Sequence, residues 1–197
     1  MKRIFDFMIA FLLLVSLSPL FLILSVWIFL DSRGGVFYCS PRVGQFEQEM
    51  TLYKFRTMVP NDDPDGITVG EEDPRITRAG RFLRKYKLDE LPQLWNVVKG
   101  DMSLVGPRPD VPGYNRYYKK HNPDHYQMKP GLTSPASIFF MRESERYVSL
   151  DNPIDEYVRK TIPQKVNLDR RLIHHTLIDD LRVIGQTFWG VIQKNHS

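Results

Sequence analysis

The sequence has one cysteine, Cys39, in 197 residues. A lone thiol cannot close an internal disulfide or build a CxxC metal site, so a disulfide scaffold and a zinc ribbon are excluded. The thiol itself is read as ordinary and semi-buried. There is no GxGxxG, no GxxxxGK[ST], no HExxH and no internal repeat, so nucleotide folds built on glycine-rich loops are not indicated. Charge is missing from residues 7–30, a run of 24. No second run of this kind exists, which argues against both a simple soluble protein and a multi-span transporter. Acidic residues are outnumbered, 23 against 27 basic, for a formal net charge of +4. That balance suits anionic partners: nucleic acid, phospholipid headgroups or phosphorylated substrates. With 42% apolar residues, the chain is long enough to bury a core as one domain with an appendage.

The uncharged run is too long for the apolar region of a signal peptide, and it ends on Ile28, Phe29 and Leu30 rather than on small residues. As a straight helix it would reach about 36 Å, enough for about 30 Å of hydrocarbon. Pro19 interrupts it, removing an intrahelical hydrogen bond and kinking the helix. The hydroxyl of Ser18 can serve a freed carbonyl. Lys2 and Arg3 precede the run and Arg33 follows it, so the positive-inside bias does not demand opposite sides. Crossing and re-entry both remain open on these grounds.

Residues 36–38 and 50–55 are aromatic and β-branched and flank a connection containing Gly44, which reads as a small hairpin. Residues 60–74 hold six carboxylates and no base; the segment reads as a solvated loop before a cation site. Arg75, Arg78, Arg81 and Arg84 then recur at spacing three, which predicts one basic helical stripe opposite Ile76, Phe82 and Leu83. Residues 88–98 read as a helix starting near Asp89, with Leu91, Leu94, Trp95 and Val98 on its apolar side and Pro92 in its first turn. Asp89 and Glu90 would then meet its positive end, a pattern that many helices show as a plain cap. Arg108 lies between Pro107 and Pro109, a stiff turn suited to presenting a guanidinium to an anion. Leu168, Leu172, Leu177, Leu181, Ile184, Phe188 and Ile192 predict one amphipathic C-terminal helix, for core packing or for the membrane interface. The adjacent His174 and His175 face different ways and do not suggest a metal pair.

Taken in order, the segments are KRIFD (2–6), an apolar run broken at Ser18-Pro19, YKFRTM (53–58), LDELPQLWNV (88–97), KGDMSLVGPRP (99–109) and KPGLT (129–133). This resembles the bacterial sugar transferases, or monotopic phosphoglycosyl transferases, across nearly the whole chain, in what looks like their minimal catalytic form. The resemblance implies a mainly helical α+β fold with a small β-hairpin and amphipathic interfacial helices. It implies a membrane helix over 1–32 that re-enters the cytoplasmic leaflet at Ser18-Pro19, and a catalytic domain over 33–197 on the cytoplasmic face of the bacterial inner membrane. The implied reaction moves a phosphosugar from a UDP-sugar to polyprenyl phosphate, releasing UMP and beginning capsule, O-antigen or exopolysaccharide assembly.

The same resemblance assigns roles. Asp89 is the nucleophile and Glu90 completes the dyad, the two holding Mg²⁺, the implied cofactor. Arg84, Arg108, Lys54 and Arg56 face the substrate phosphates. Many relatives follow the KPGLT-like motif with a segment ending in an anion-binding arginine; here SPASIFFMR (134–142) stands instead, and Arg142 is the candidate replacement. Implied partners are the UDP-sugar, polyprenyl phosphate and membrane phospholipid, with no nucleic acid; a homodimer is left open. The alternative is a membrane-anchored, non-catalytic module that holds anionic lipid on its arginine stripe.

Overall fold

A computed structural model describes residues 1–59, 73–141 and 152–194 of the chain. The apolar run forms two helices, α1 (Lys2–Ser16) and α2 (Ser18–Asp31), bent by 61° where they meet at Leu17. The cause is local. Pro19 has no N–H for the Val15 carbonyl four residues back, and the Ser18 hydroxyl donates to that carbonyl instead at 2.8 Å. Among the described residues no single helix is long and apolar enough to cross a membrane.

The hairpin pairs β1 (Phe37–Val43) with β2 (Glu49–Phe55), antiparallel, Phe37 opposite Phe55 and Arg42 opposite Met50. Strand β1 runs farther than the sequence suggested, through Pro41, which a two-stranded ribbon accepts because one side of each strand is an edge. Cys39 on it is exposed rather than semi-buried.

Helix α3 (Arg78–Lys85) starts at a Thr77 cap, whose side chain accepts from the Gly80 N–H at 2.9 Å. Arg75 therefore stands outside the helix, held at 2.7 Å by Asp73, and the stripe of four shrinks to Arg78, Arg81 and Arg84. The acidic segment at 60–72 and Arg142 lie outside the described residues. Gly80 has a steric reason: a Cβ there would sit 2.0 Å from the Thr57 carbonyl oxygen, so only glycine lets α3 rest on the chain leaving β2.

A single 3₁₀ turn (Leu88–Glu90) precedes α4 (Gln93–Lys99), so the expected continuous helix from Asp89 is divided. The buried side of α4 is Gln93, Leu94, Asn96 and Val97, whereas Trp95 is 51% exposed. Asn96 fixes this rotation: its amide accepts from the Tyr53 N–H at 3.2 Å and donates to the Thr51 carbonyl at 2.6 Å, tying α4 to β2.

Then follow β3 (Ser103–Val105), α5 (Asn115–His121), β4 (Gly131–Thr133), parallel to β3, and α6 (Pro135–Phe139). Helix α7 (Pro153–Glu156) continues through a π turn (Tyr157–Thr161) into α8 (Ile162–Asp169), and α9 (Leu177–Lys194) ends the described chain. The predicted single C-terminal helix is broken because Thr176 and Asp179 form a reciprocal cap, Asp179 Oδ2 accepting from the Thr176 N–H at 2.9 Å and Thr176 Oγ1 from the Asp179 N–H at 3.3 Å. A cap of this kind starts a new helix. Val183 packs inward, while Ile178, Leu181, Phe188, Trp189 and Ile192 are exposed.

The fold is thus mainly helical with two small sheets, an α+β arrangement. Its helical pair at the N-terminus is not a detached tail. Ala10 of α1 is buried with Leu52, Leu94, Val97 and Leu104, and Leu24 and Ile28 of α2 are buried with Phe55, Ala79 and Leu83. Both ends are tied down as well. Lys2 pairs with Asp180 of α9, and Arg3 donates to the Val97 and Val98 carbonyls that end α4. At the other end, Asp31 accepts from the Ala79 N–H at 2.9 Å.

Candidate active site

Two elements converge on Glu90. Lys54, from the end of β2, lies 3.0 Å from Glu90 Oε1. Arg108 donates through both terminal nitrogens, to Oε1 and, at 3.3 Å, to Oε2. This is the forked geometry that arginine alone supplies. The turn presenting Arg108 is bonded on both flanks. The Pro107 carbonyl accepts from the Gly131 N–H at 2.8 Å, and the Asp110 carbonyl accepts from the Val43 N–H at 2.9 Å. Tyr126 then donates to the Asp110 carboxylate at 2.8 Å. Asp110 and Tyr126 went unnoticed in the sequence, where neither belongs to a spacing pattern.

Asp89 is placed differently. It is 8% exposed, and its Oδ1 is buried with no hydrogen-bond partner. Burial pushes its ionisation up; Lys54 opposes that and the neighbouring Glu90 adds to it. Burial acts on Glu90 in the same direction, yet Arg108 and then Lys54 outweigh it and hold Glu90 well below the ordinary carboxylate range. Burial in turn lowers Lys54, against the pull of Glu90. Adjacent carboxyls are thereby separated: one paired and ionised, one open and reluctant to ionise. Such separation is how neighbouring carboxyls acquire different chemical roles.

Arg84 approaches from α3. Its Nε donates to Thr57 Oγ1 at 2.9 Å, and its charge is felt at Asp89. Lys87, in a left-handed conformation with φ 58°, makes the sharp turn that brings the end of α3 to Asp89. Arg56 does not join the cluster. Its guanidinium donates to the Arg33 and Ser32 carbonyls at 2.7 Å each and to Ser32 Oγ at 3.0 Å, capping the end of α2. Ser18 and Pro19 stand at the bend between α1 and α2, where the Ser18 hydroxyl is bonded to the Val15 carbonyl and not to the dyad. Ser134, which opens the SPAS segment, and Ala136 are held by Asp169, which accepts from the Ser134 hydroxyl at 3.1 Å and the Ala136 N–H at 2.9 Å. Burial pushes Asp169 up to about 6.

Residues 1–194 match the model of the bacterial sugar transferase family, and the chain belongs to that family. A UDP-glucose:undecaprenyl-phosphate glucose-1-phosphate transferase of Xanthomonas campestris pv. campestris is 37% identical over 195 residues, covering 94% of this chain and 39% of that protein. A protein of the same name from Caulobacter vibrioides is 40% identical over 153 residues, 76% of this chain and 57% of its own length. An undecaprenyl-phosphate glucose phosphotransferase of Komagataeibacter xylinus is 40% identical over 150 residues, 70% of this chain and 27% of its own. The chain thus spans between about a quarter and three fifths of the length of these curated relatives.

Proposed function

We propose that this protein transfers a phosphosugar from a UDP-sugar to polyprenyl phosphate, releasing UMP, and so begins assembly of a cell-surface polysaccharide. The observation that carries this reading is the open, buried oxygen of Asp89 beside a Glu90 already neutralised by Lys54 and Arg108. The names of the relatives support the donor and acceptor classes.

In the first step an Asp89 oxygen attacks the phosphorus that bears the sugar. The bond from that phosphorus to the oxygen bridging to UMP breaks, and UMP leaves with the electron pair. The product is an acyl phosphate, which splits one difficult displacement into two. In the second step a phosphate oxygen of the polyprenyl acceptor attacks the same phosphorus. Polyprenyl diphosphate sugar forms and the Asp89 carboxylate is restored. Arg84 and Arg108 oppose the phosphate charge, and Glu90, fixed by its two cations, orients Arg108 and Lys54.

Two carboxylates in sequence fit Mg²⁺, which takes one or two carboxylates with substrate phosphates. The unpartnered Asp89 Oδ1 is open to it, while the Glu90 oxygens are shared with Lys54 and Arg108, so Asp89 would be the principal protein ligand. An ion held there would complete its coordination with substrate oxygens and water. When bound, it neutralises phosphate charge that would repel a carboxylate.

The test is UMP release from a panel of UDP-sugars with undecaprenyl phosphate and Mg²⁺. At least one donor should give UMP that depends on acceptor. Lipid binding with no release from any donor would favour the non-catalytic alternative.

We further propose that residues 1–32 enter the membrane from the cytoplasmic face and return to it, leaving 33–197 as the catalytic part. Both ends of the bent pair are bonded to the same folded body, through Lys2 and Arg3 at one end and Asp31 and Ser32 at the other. A spanning helix would separate those ends by about 30 Å of hydrocarbon. Exposed Cys39 reports on one end and an Ile4→Cys substitution on the other. A maleimide that cannot cross membranes should label neither in intact cells and both after permeabilisation. Labelling of one site alone in intact cells would mean that the segment crosses.

A further inference from the structure

Arg42 lies at the end of β1 and has no place in the scheme so far. It shares a strand face with Ser40 and Tyr38, since side chains alternate along a strand, and Tyr38 is paired with Lys54. The next residue, Val43, donates its N–H to the Asp110 carbonyl at 2.9 Å. That bond joins the end of β1 to the end of the Pro107-Arg108-Pro109 turn and brings Arg42 and Arg108 near each other.

Two like charges held close need an anion between or beside them. Arg108 has Glu90. Arg42, half-buried, donates only to the carbonyl of its own neighbour Pro41, at 2.8 Å, and meets no carboxylate within ion-pair distance among the described residues. Asp110 accepts from Tyr126 and lies 3.4 Å from His125. Burial, and after it the Arg108 charge, push the ionisation of Arg42 down, but an arginine does not shed its proton near neutral pH. The result is a fixed positive charge next to Arg108, offset only in part by the Asp110 charge. On the same strand face the Ser40 hydroxyl is buried without a partner, a second polar group there left unsatisfied.

We propose that Arg42 is a phosphate-binding residue of this site, pairing with Arg108 to hold the second phosphoryl group of a diphosphate while the first lies against Asp89. This rests on the reading of the protein as a transferase acting on a nucleoside diphosphate sugar. The geometry separates the two phosphoryl stations: Asp89 and Arg84 at one, Arg108 and Arg42 at the other. A bidentate guanidinium suits the second station because the leaving phosphate gains negative charge as the bridging bond breaks.

The experiment measures binding of inorganic pyrophosphate and inorganic phosphate to the full chain in detergent. Arg42→Ala should weaken pyrophosphate about tenfold, the scale of one charge-assisted hydrogen-bonded contact, and phosphate less than about twofold. Arg42→Lys should recover part of the pyrophosphate affinity and keep the wild-type melting temperature. Unchanged pyrophosphate affinity in either variant, or an equal loss for both probes, would overturn the proposal. If Arg42→Ala does not fold, Arg42→Lys alone decides it: a selective loss for pyrophosphate supports the clamp, and none refutes it. Because neither probe is turned over, the outcome stands apart from UMP release. A protein that binds pyrophosphate through Arg42 but releases no UMP would sink the transferase reading and leave the diphosphate clamp intact.

Discussion

Asp89→Asn should abolish transfer and at the same time stabilise the fold at neutral pH. The loss expected is about a thousandfold or more, the scale on which removal of a covalent nucleophile is felt. The stability gain follows from burial. Asp89 has its ionisation pushed up in the folded state, so the folded protein holds its proton more tightly than the unfolded chain does. That linkage stabilises the fold below the ordinary carboxylate value, about pH 4, and is lost as pH rises through the folded value. Asparagine is neutral throughout. The melting temperature of Asp89→Asn should therefore exceed that of the parent at neutral pH, and the gap should close on acidification. Mass spectrometry gives the chemical counterpart: with a productive donor the parent should gain one phosphosugar at Asp89 and the variant none. Turnover by Asp89→Asn within tenfold of the parent would remove Asp89 from the mechanism. The acidic limb of the kcat/KM profile should also lie above the range of an ordinary aspartate, because the attacking carboxylate must first lose that proton.

Arg108→Ala should lower kcat/KM by about two orders of magnitude or more, comparable to losing one preorganised charge-stabilising donor. Arg108→Lys should recover little, because an ammonium cannot reach both Glu90 oxygens as the fork does. Stability carries a second signature. Glu90 is held well below its ordinary value against the effect of burial, first by Arg108 and then by Lys54. A depressed carboxylate stabilises the fold above its unfolded value and loses that contribution as pH falls through the folded one. Without Arg108 the depression lessens, so the variant should melt below the parent at neutral pH, and the deficit should shrink in acid. Arg78→Ala is the control: Arg78 is exposed on α3, and its loss should leave turnover in detergent unchanged. Equal losses from Arg78→Ala and Arg108→Ala would mean that the site responds to overall positive charge and not to the Arg108 fork.

Several features of this protein follow from the sequence alone because their causes are local. Pro19 lacks a donor, so the apolar helix had to bend there, and the Ser18 hydroxyl does what its position suggested. The β-branched and aromatic segments form the hairpin, and the stiff proline-flanked turn does present Arg108. The order of motifs was enough to indicate the family. What local pattern could not decide is which of several similar side chains does which work. The resemblance treats Lys54 and Arg56, two residues apart, as one phosphate-facing pair. Strand β2 ends at Phe55, however, so Lys54 reaches Glu90 while Arg56 turns to the carbonyls ending α2. Four arginines at spacing three look like one stripe, but the Thr77 cap starts the helix after Arg75 and leaves that residue to Asp73. Asp89 and Glu90 are adjacent carboxyls that local pattern cannot rank, although the family resemblance does. Their ranking depends on Lys54 and Arg108, 36 residues before and 18 after Glu90 in the chain, and on burial that only packing creates. Electrostatics acts through space, so the division between a paired Glu90 and an open Asp89 exists only once the hairpin, α4 and the Arg108 turn have come together.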